Sequence, residues 1–220
     1  MSVTFQDIQN SVEIRTYITQ ADASLIALGF TEHSFAHVGR CANVAARILN
    51  ELGYPAREVE LARIAAFMHD IGNVVNRHDH AISGATMAFR ILDKMGMEPA
   101  EVATVITAIG HHDDSTAYPV NAIAAALILA DKTDVRRSRV RNKDMSTFDI
   151  HDRVNYSVER SEVLLDLPGR TVTLSLSINT EVCAVMDYFE IFLQRMLLSR
   201  KAAETLDLKF RLEINGQILL

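Results

Sequence analysis

Nine consecutive apolar residues, Ala122 to Ala130, run directly into an acid, Asp131. No other segment constrains the fold as much. The stretch AIAAALILADKTDV, opened by Pro119, is apolar on most sides, so as a helix it has no face to offer to water and must lie at the centre of other elements. It is far short of the roughly 20 residues that span a bilayer, which leaves a protein core as its surroundings. The helices that could surround it carry the matching period. From Glu32 to Leu52, the residues His33, His37, Cys41, Val44, Ile48 and Leu52 recur at three- and four-residue steps and line one face, until Gly53 and Tyr54-Pro55 stop the helix. Glu58 to about Asp70 follows, with Leu61, Ile64, Ala65 and Met68 as its stripe and Gly72 as its breaker. His80 to Met95 turns Ala81, Gly84, Ala88 and Ile91 inward, and Pro99 opens a helix that ends at Gly110-His111-His112.

The period changes after about residue 160. Ser161–Asp166 and Thr171–Ser177 flank Leu167-Pro168-Gly169-Arg170, a turn signal between β-prone runs, which predicts a hairpin. Asn179-Thr180 then reads as the cap of a helix from Glu181 to about Ser199, and Leu206–Ile214 as a third strand ending at Asn215-Gly216. The expected fold is mainly α: a helical bundle over residues 1–145, a polar connector over 146–160, and a small α+β appendage of β-β-α-β order over 161–220. Three short strands leave an open edge and an uncovered face, so the appendage should cover the helical domain or form a homodimer contact.

Composition narrows the function. The net charge of −6 provides no basic footprint for duplex nucleic acid, although a bound metal could supply local positive charge for an anionic substrate. The two cysteines, Cys41 and Cys183, form no CxxC pair, and the start MSVTFQDIQN is not a signal peptide. A cytoplasmic protein that does not enter a membrane is expected.

Seven of the eight histidines fall between residues 33 and 112, nearly all at helix ends or on otherwise apolar faces. A lone histidine there is more often a hydrogen-bonded core residue than a ligand. Asp131 alone could be an ion pair, and His111-His112 alone a polar helix end. The joint occurrence, in order, of His37, His69-Asp70, His80, His111-His112 and Asp131 decides otherwise, because ionised carboxylates behind apolar runs are costly to bury without a cation. Imidazoles and carboxylates converging in a helical core suit Zn, Mn or Fe.

The same series resembles the HD superfamily of metal-dependent phosphohydrolases. HVGRCANVAARIL is similar to that superfamily's first helix, AFMHDIGN to its signature LLHDIGK, and LILADKTD to its final motif. The likeness covers roughly residues 30 to 140 and implies an HD-type helical bundle in which His37, His69, Asp70 and Asp131 hold the primary metal. HAISGA and GHHDDSTAYP resemble elements of the HD-GYP branch, which implies His80, His111 and His112 as ligands of a second metal, with Asp70 bridging. Asn73 stands where a Lys usually follows HDIG, so the phosphate contact attributed to that position is not carried over. Asp113 stands where that branch has Glu and the segment before Tyr118-Pro119 is shorter, so cyclic dinucleotide specificity is not carried over either.

His33, one turn before His37, is a candidate catalytic residue or a supporting one. Lys132, Arg136 and Arg77 are the candidate cations for a substrate phosphate. The rest of the cluster, Arg137, Arg139 and Arg141, reads as a solvated helix face, and His151-Asp152 as surface. The expected activity is hydrolysis of a small phosphoester, nucleotides foremost, by water acidified toward a pKa of roughly 7 between two divalent metals. Two other readings stay open: a di-iron oxygenase of HD type, and a non-catalytic metal or nucleotide sensor.

Overall fold

The computed structural model describes residues 2–219. Its helices are α1 (Phe5–Asn10), α2 (Val12–Ala27), α3 (Phe35–Glu51), α4 (Ala56–Met68), α5 (His80–Lys94), α6 (Pro99–Gly110), α7 (Ala122–Lys132), α8 (Ile150–Ser157) and α9 (Val185–Thr205). Its strands are β1 (Val158–Asp166), β2 (Thr171–Ile178), β3 (Lys209–Ile214) and β4 (Gln217–Ile218). Helix α7 is central as expected: every residue from Ile123 to Ala130 is buried, and α3, α4, α6 and α9 pack around it. Leu127, Ile128 and Leu129 are wholly buried, each contributing roughly 1.5–3 kcal/mol of apolar burial, so this helix anchors the acid at its end. Asn121 rather than Pro119 starts it, its side-chain oxygen accepting from the Ala124 amide at 2.8 Å.

The appendage is a four-stranded sheet of order β1-β2-β3-β4. The hairpin β1-β2 is antiparallel, α9 crosses over to bring β3 parallel to β2, and β4 returns antiparallel to β3. The last strand is missing from the sequence reading because it is only two residues long. Asn215 and Gly216 both take positive φ (51° and 80°), the conformation a two-residue hairpin turn of the right twist demands. Helix α9 begins at Val185, later than expected; the Asn179 side chain is spent on a turn, accepting from the Glu181 amide.

Residues 146–160, expected as a connector, hold α8 and the start of β1. Asp149 caps that helix by accepting from the Asp152 amide at 2.7 Å. The appendage is joined closely to the bundle. Arg40 and Arg47 of α3 donate to the carbonyls of Ser161 and Val163 at 2.7 and 2.6 Å, which occupies the open edge of β1. One cluster of buried apolar side chains runs from Val3 to Ile214, and no helix among the described residues is long and apolar enough to cross a membrane.

Candidate metal centre

The site is built where two backbones cross. Helix α4 stops at Met68, and His69-Asp70 lead into a short 3-10 turn over Ile71–Val74. That turn lies against the start of α5 so closely that a Cβ on Gly72 would sit 2.0 Å from the His80 carbonyl oxygen and 2.5 Å from the Gly84 nitrogen. Gly84 answers from the other side, its own Cβ position 3.2 Å from the His69 carbonyl oxygen. Two glycines therefore allow the Asp70 turn and the His80 end of α5 to share one volume.

Four imidazoles point their Nε2 atoms into that volume because their Nδ1 atoms are held from behind. His69, His80 and His112 are paired through Nδ1 with the carbonyls of Ala66, Arg77 and Ile109 at 2.8, 3.0 and 2.6 Å. His37 is held instead by the Asp134 carboxylate at 2.8 Å. Such outer partners fix tautomer and ring orientation in metal sites. In the interior, Asp70 Oδ2 lies 3.6 Å from His37 Nε2 and 3.1 Å from His69 Nε2, and Asp131 Oδ1 lies 3.3 Å and 3.8 Å from the same two atoms. Asp70 Oδ1 faces the other way, 3.5 Å from His80 Nε2 and 3.9 Å from His112 Nε2, and those two nitrogens are 3.2 Å apart.

Burial opposes charge on Asp70, but His69, then His33 and His80, hold its carboxyl well below the usual carboxylate range. Asp131 is held low in the same way, chiefly by Lys132, whose Nζ is 2.7 Å from Asp131 Oδ2. Burial also opposes charge on His69, yet Asp70 and Asp131 outweigh it and raise its pKa. At His112 and His80 burial wins. His112 is pushed down to about 3, with His69 and Lys132 adding to burial. His80 is lowered, Arg77 adding to burial while Asp70 opposes it. Those two rings are neutral at ordinary pH, with lone pairs free for a cation.

The donor set fits divalent metal. His69 Nε2 and Asp70 Oδ2 are buried without a hydrogen-bond partner, a cost that an ion between them would remove. Ligand atoms come together in the groups His37–His69–Asp70, His69–His112–Asp131 and Asp70–His80–His112, and also in His37–Cys41–Asp131, where burial keeps the Cys41 thiol from ionising. His111 is not among them. Its Nδ1 is paired with the Thr107 carbonyl on its own helix at 2.9 Å, because neighbouring residues at a helix end diverge and only His112 turns inward. His33 is also outside these groups. Its Nδ1 is paired with the Thr31 carbonyl, and it lines the cavity above the site.

That cavity, of about 290 Å³, is bounded by Asp70, His80, His112 and Asp131. Of the candidate cations Arg77 and Lys132 line it, but Arg136 does not; its guanidinium is taken by Asp134 at 2.5 and 2.9 Å. Arg139 corrects the expected solvated helix face: α7 ends at Lys132, and Arg139 is 5% exposed on the cavity wall. His151 is exposed as expected, yet with Asp152 it forms part of the same wall, as do Phe192 and Arg195 of α9. The sequence reading missed Asp134, although its position one helical turn after Asp131 could have signalled it.

A family model described as HD domain matches residues 34–153, more than half of the chain. Ribonuclease Y of Cutibacterium acnes is 29% identical over 155 residues, covering 69% of this chain and 26% of the relative. The uncharacterized protein MJ1020 of Methanocaldococcus jannaschii is 24% identical over 182 residues, covering 72% of this chain and 70% of the relative. The chain thus spans only about a quarter of the length of the ribonuclease it matches. The matched region runs from the N-cap of α3 into α8 and contains every inward-facing histidine and acid of the centre, so the chain belongs to the HD-domain superfamily of metal-dependent phosphohydrolases.

Proposed function

We propose that the protein is a phosphohydrolase with a binuclear metal centre that cleaves a small phosphoester, a nucleotide foremost. One observation carries the reading: the two oxygens of the Asp70 carboxylate face different pairs of imidazoles, Oδ2 toward His37 and His69 and Oδ1 toward His80 and His112. With a single metal, Asp70 Oδ1 would keep only the Asn73 amide at 3.0 Å, and two inward-facing imidazoles would stand beside it without a cation. The residues to hold Mn, Fe or Zn are His37, His69, Asp70 and Asp131 on one side and Asp70, His80 and His112 on the other. When bound, such cations supply Lewis-acid charge and acidify water.

The side chains of the protein have their own tasks. Asp70 ties the two halves together. Lys132 keeps Asp131 ionised and oriented. Arg77, with Nη1 3.4 Å from His80 Nε2, stands where its N–H groups could grip a phosphoryl oxygen at the second half. His33 lines the cavity as a neutral imidazole, its pKa lowered by burial and by Arg139, and is suited to exchange a proton with the leaving group.

The name of Ribonuclease Y assigns a polymer to that relative. For this chain the cavity volume of about 290 Å³ and the net charge of −6 favour a small molecule. Two buried free thiols, Cys41 and Cys183, agree with a reducing cytoplasm. The test is metal analysis of protein purified without added metal, followed by a phosphoester panel with Mn, Zn and Fe. Two metals per chain and turnover of a nucleotide are expected. Loading that stops at one metal, or turnover that requires dioxygen and leaves phosphoesters intact, would refute the proposal.

A further inference from the structure

Four cationic side chains line the cavity, and they divide by partner. Lys132 is neutralised by Asp131 and Asp114 at 2.7 and 3.0 Å, and Arg195 by Asp114 at 3.1 Å. Arg77 belongs to the metal centre through its contact with His80. Arg139 is different. It is 5% exposed, and its Nε and Nη1 donate to the carbonyls of Glu32 and Asp134 at 2.9 and 2.7 Å. No carboxylate pairs with it among the described residues, and its Nη2 has no protein partner there. The Asp134 carboxylate is near enough to feel the charge of Arg139, but its oxygens bond His37 at 2.8 Å and Arg136 at 2.5 and 2.9 Å rather than this guanidinium. A buried guanidinium with no direct ion pair gains from an anion that joins it. Arg139 lines the cavity.

We infer that Arg139 is the anchor of a second anion subsite, so that the substrate carries another negatively charged group besides the phosphate attacked at the metal centre. The inference rests on the phosphohydrolase reading for the first phosphate, but the subsite itself does not need metal. The two carbonyls hold the guanidinium plane in place, which leaves Nη2 to donate to a phosphate or carboxylate oxygen. A phosphoester with only one anionic group would leave Nη2 without a partner. A nucleotide with a second phosphate would satisfy both Arg139 and the metal centre.

The test uses inorganic phosphate as probe and full-length, metal-free protein, with wild type, Arg139→Gln and Arg139→Lys compared by calorimetry. Wild type should bind one phosphate per chain. Arg139→Gln should weaken binding at least about tenfold, and Arg139→Lys should restore part of it, since loss of a charge-assisted bond is worth that much. Mn loading of each variant shows whether the metal centre is intact, and Arg139→Lys stands in should Arg139→Gln fail to fold. Under Mn, the ratio of kcat/KM for adenosine 3′,5′-bisphosphate over adenosine 5′-monophosphate should exceed one in wild type and fall toward one in Arg139→Gln. Phosphate binding equal in all three proteins, or absent from wild type, overturns the subsite. If phosphate binds through Arg139 but neither nucleotide is hydrolysed, the subsite stands and the phosphohydrolase reading fails.

Discussion

The two halves of the proposed metal centre share Asp70 but differ in how they are charged. The half made by His37, His69 and Asp131 has two carboxylates facing two imidazoles, with a third, Asp134, behind His37. Its acids are held ionised against burial, and His69 is pulled toward its protonated form. The half made by His80 and His112 has Asp70 as its nearest carboxylate, backbone carbonyls behind both rings with Asp113 3.9 Å from His80 Nδ1, and Arg77 beside it. Its imidazoles are held neutral. One half is a preassembled anionic cage and the other a pair of neutral donors leaning on a shared acid. The first should therefore bind a cation more tightly, and the second should fill last.

Asp70→Ala breaks the comparison altogether. A bridging carboxylate cannot be lost from one half alone, so both sites should lose metal and turnover should fall by orders of magnitude; a variant that still loaded one metal tightly would show that Asp70 does not bridge. Next in size is Gly72→Ala, whose Cβ meets backbone at 2.0 Å. The chain must shift there, at a cost of about 1–3 kcal/mol or more in stability. We expect a lower melting temperature together with loss of second-half metal, and an unchanged melting temperature would contradict the close crossing.

His80→Ala is the sharper cut. Metal content should drop from two per chain toward one, leaving the His37–His69–Asp131 half occupied, while hydrolysis still falls by orders of magnitude. Unchanged stoichiometry would mean that His80 serves substrate rather than metal. Asp134→Ala removes only the support behind His37 and should weaken the first half by about 10–100-fold in affinity, with the second half less affected.

The smallest effect is in pH. The pKa of His69 is raised in the metal-free protein, so filling the first half expels a proton, and its affinity should weaken as pH falls through that raised value. His112 is lowered to about 3 and His80 is lowered too, so loading the second half should release fewer protons than loading the first. Calorimetry in buffers of different ionisation enthalpy reads this directly, and equal proton release from both steps would erase the distinction between the halves.

The helices that carry the centre were legible in the sequence because each announces itself locally. The stripes of α3 to α7 have helical spacing, and Gly53, Gly96 and Pro99 punctuate them. The hairpin β1-β2 was legible for the same reason. Helix α8 was not, because its residues are polar enough to pass for a linker and only the Asp149 cap marks its start. The inward histidines and acids and their order along the chain were likewise readable, since an acid after nine apolar residues is costly to bury without a partner. Which member of an adjacent pair turns inward was a different matter. His112 and not His111 faces Asp70 because α6 ends at Gly110 with His111 as its C-cap, and sequence spacing alone cannot choose within one residue of a helix end.

Charge partners were decided only by tertiary structure. Arg136, Arg139 and Lys132 look alike as a basic run, yet one supports Asp134, one borders the cavity with a free edge, and one neutralises a metal ligand. Asp134 acquires its role from an imidazole 97 positions away. Periodicity and capping act over a few residues, so sequence determines the helices and the chemistry they can carry. Which charge meets which is set by packing between distant helices, above all by the crossing at Gly72 and Gly84 and by α9 closing over α7.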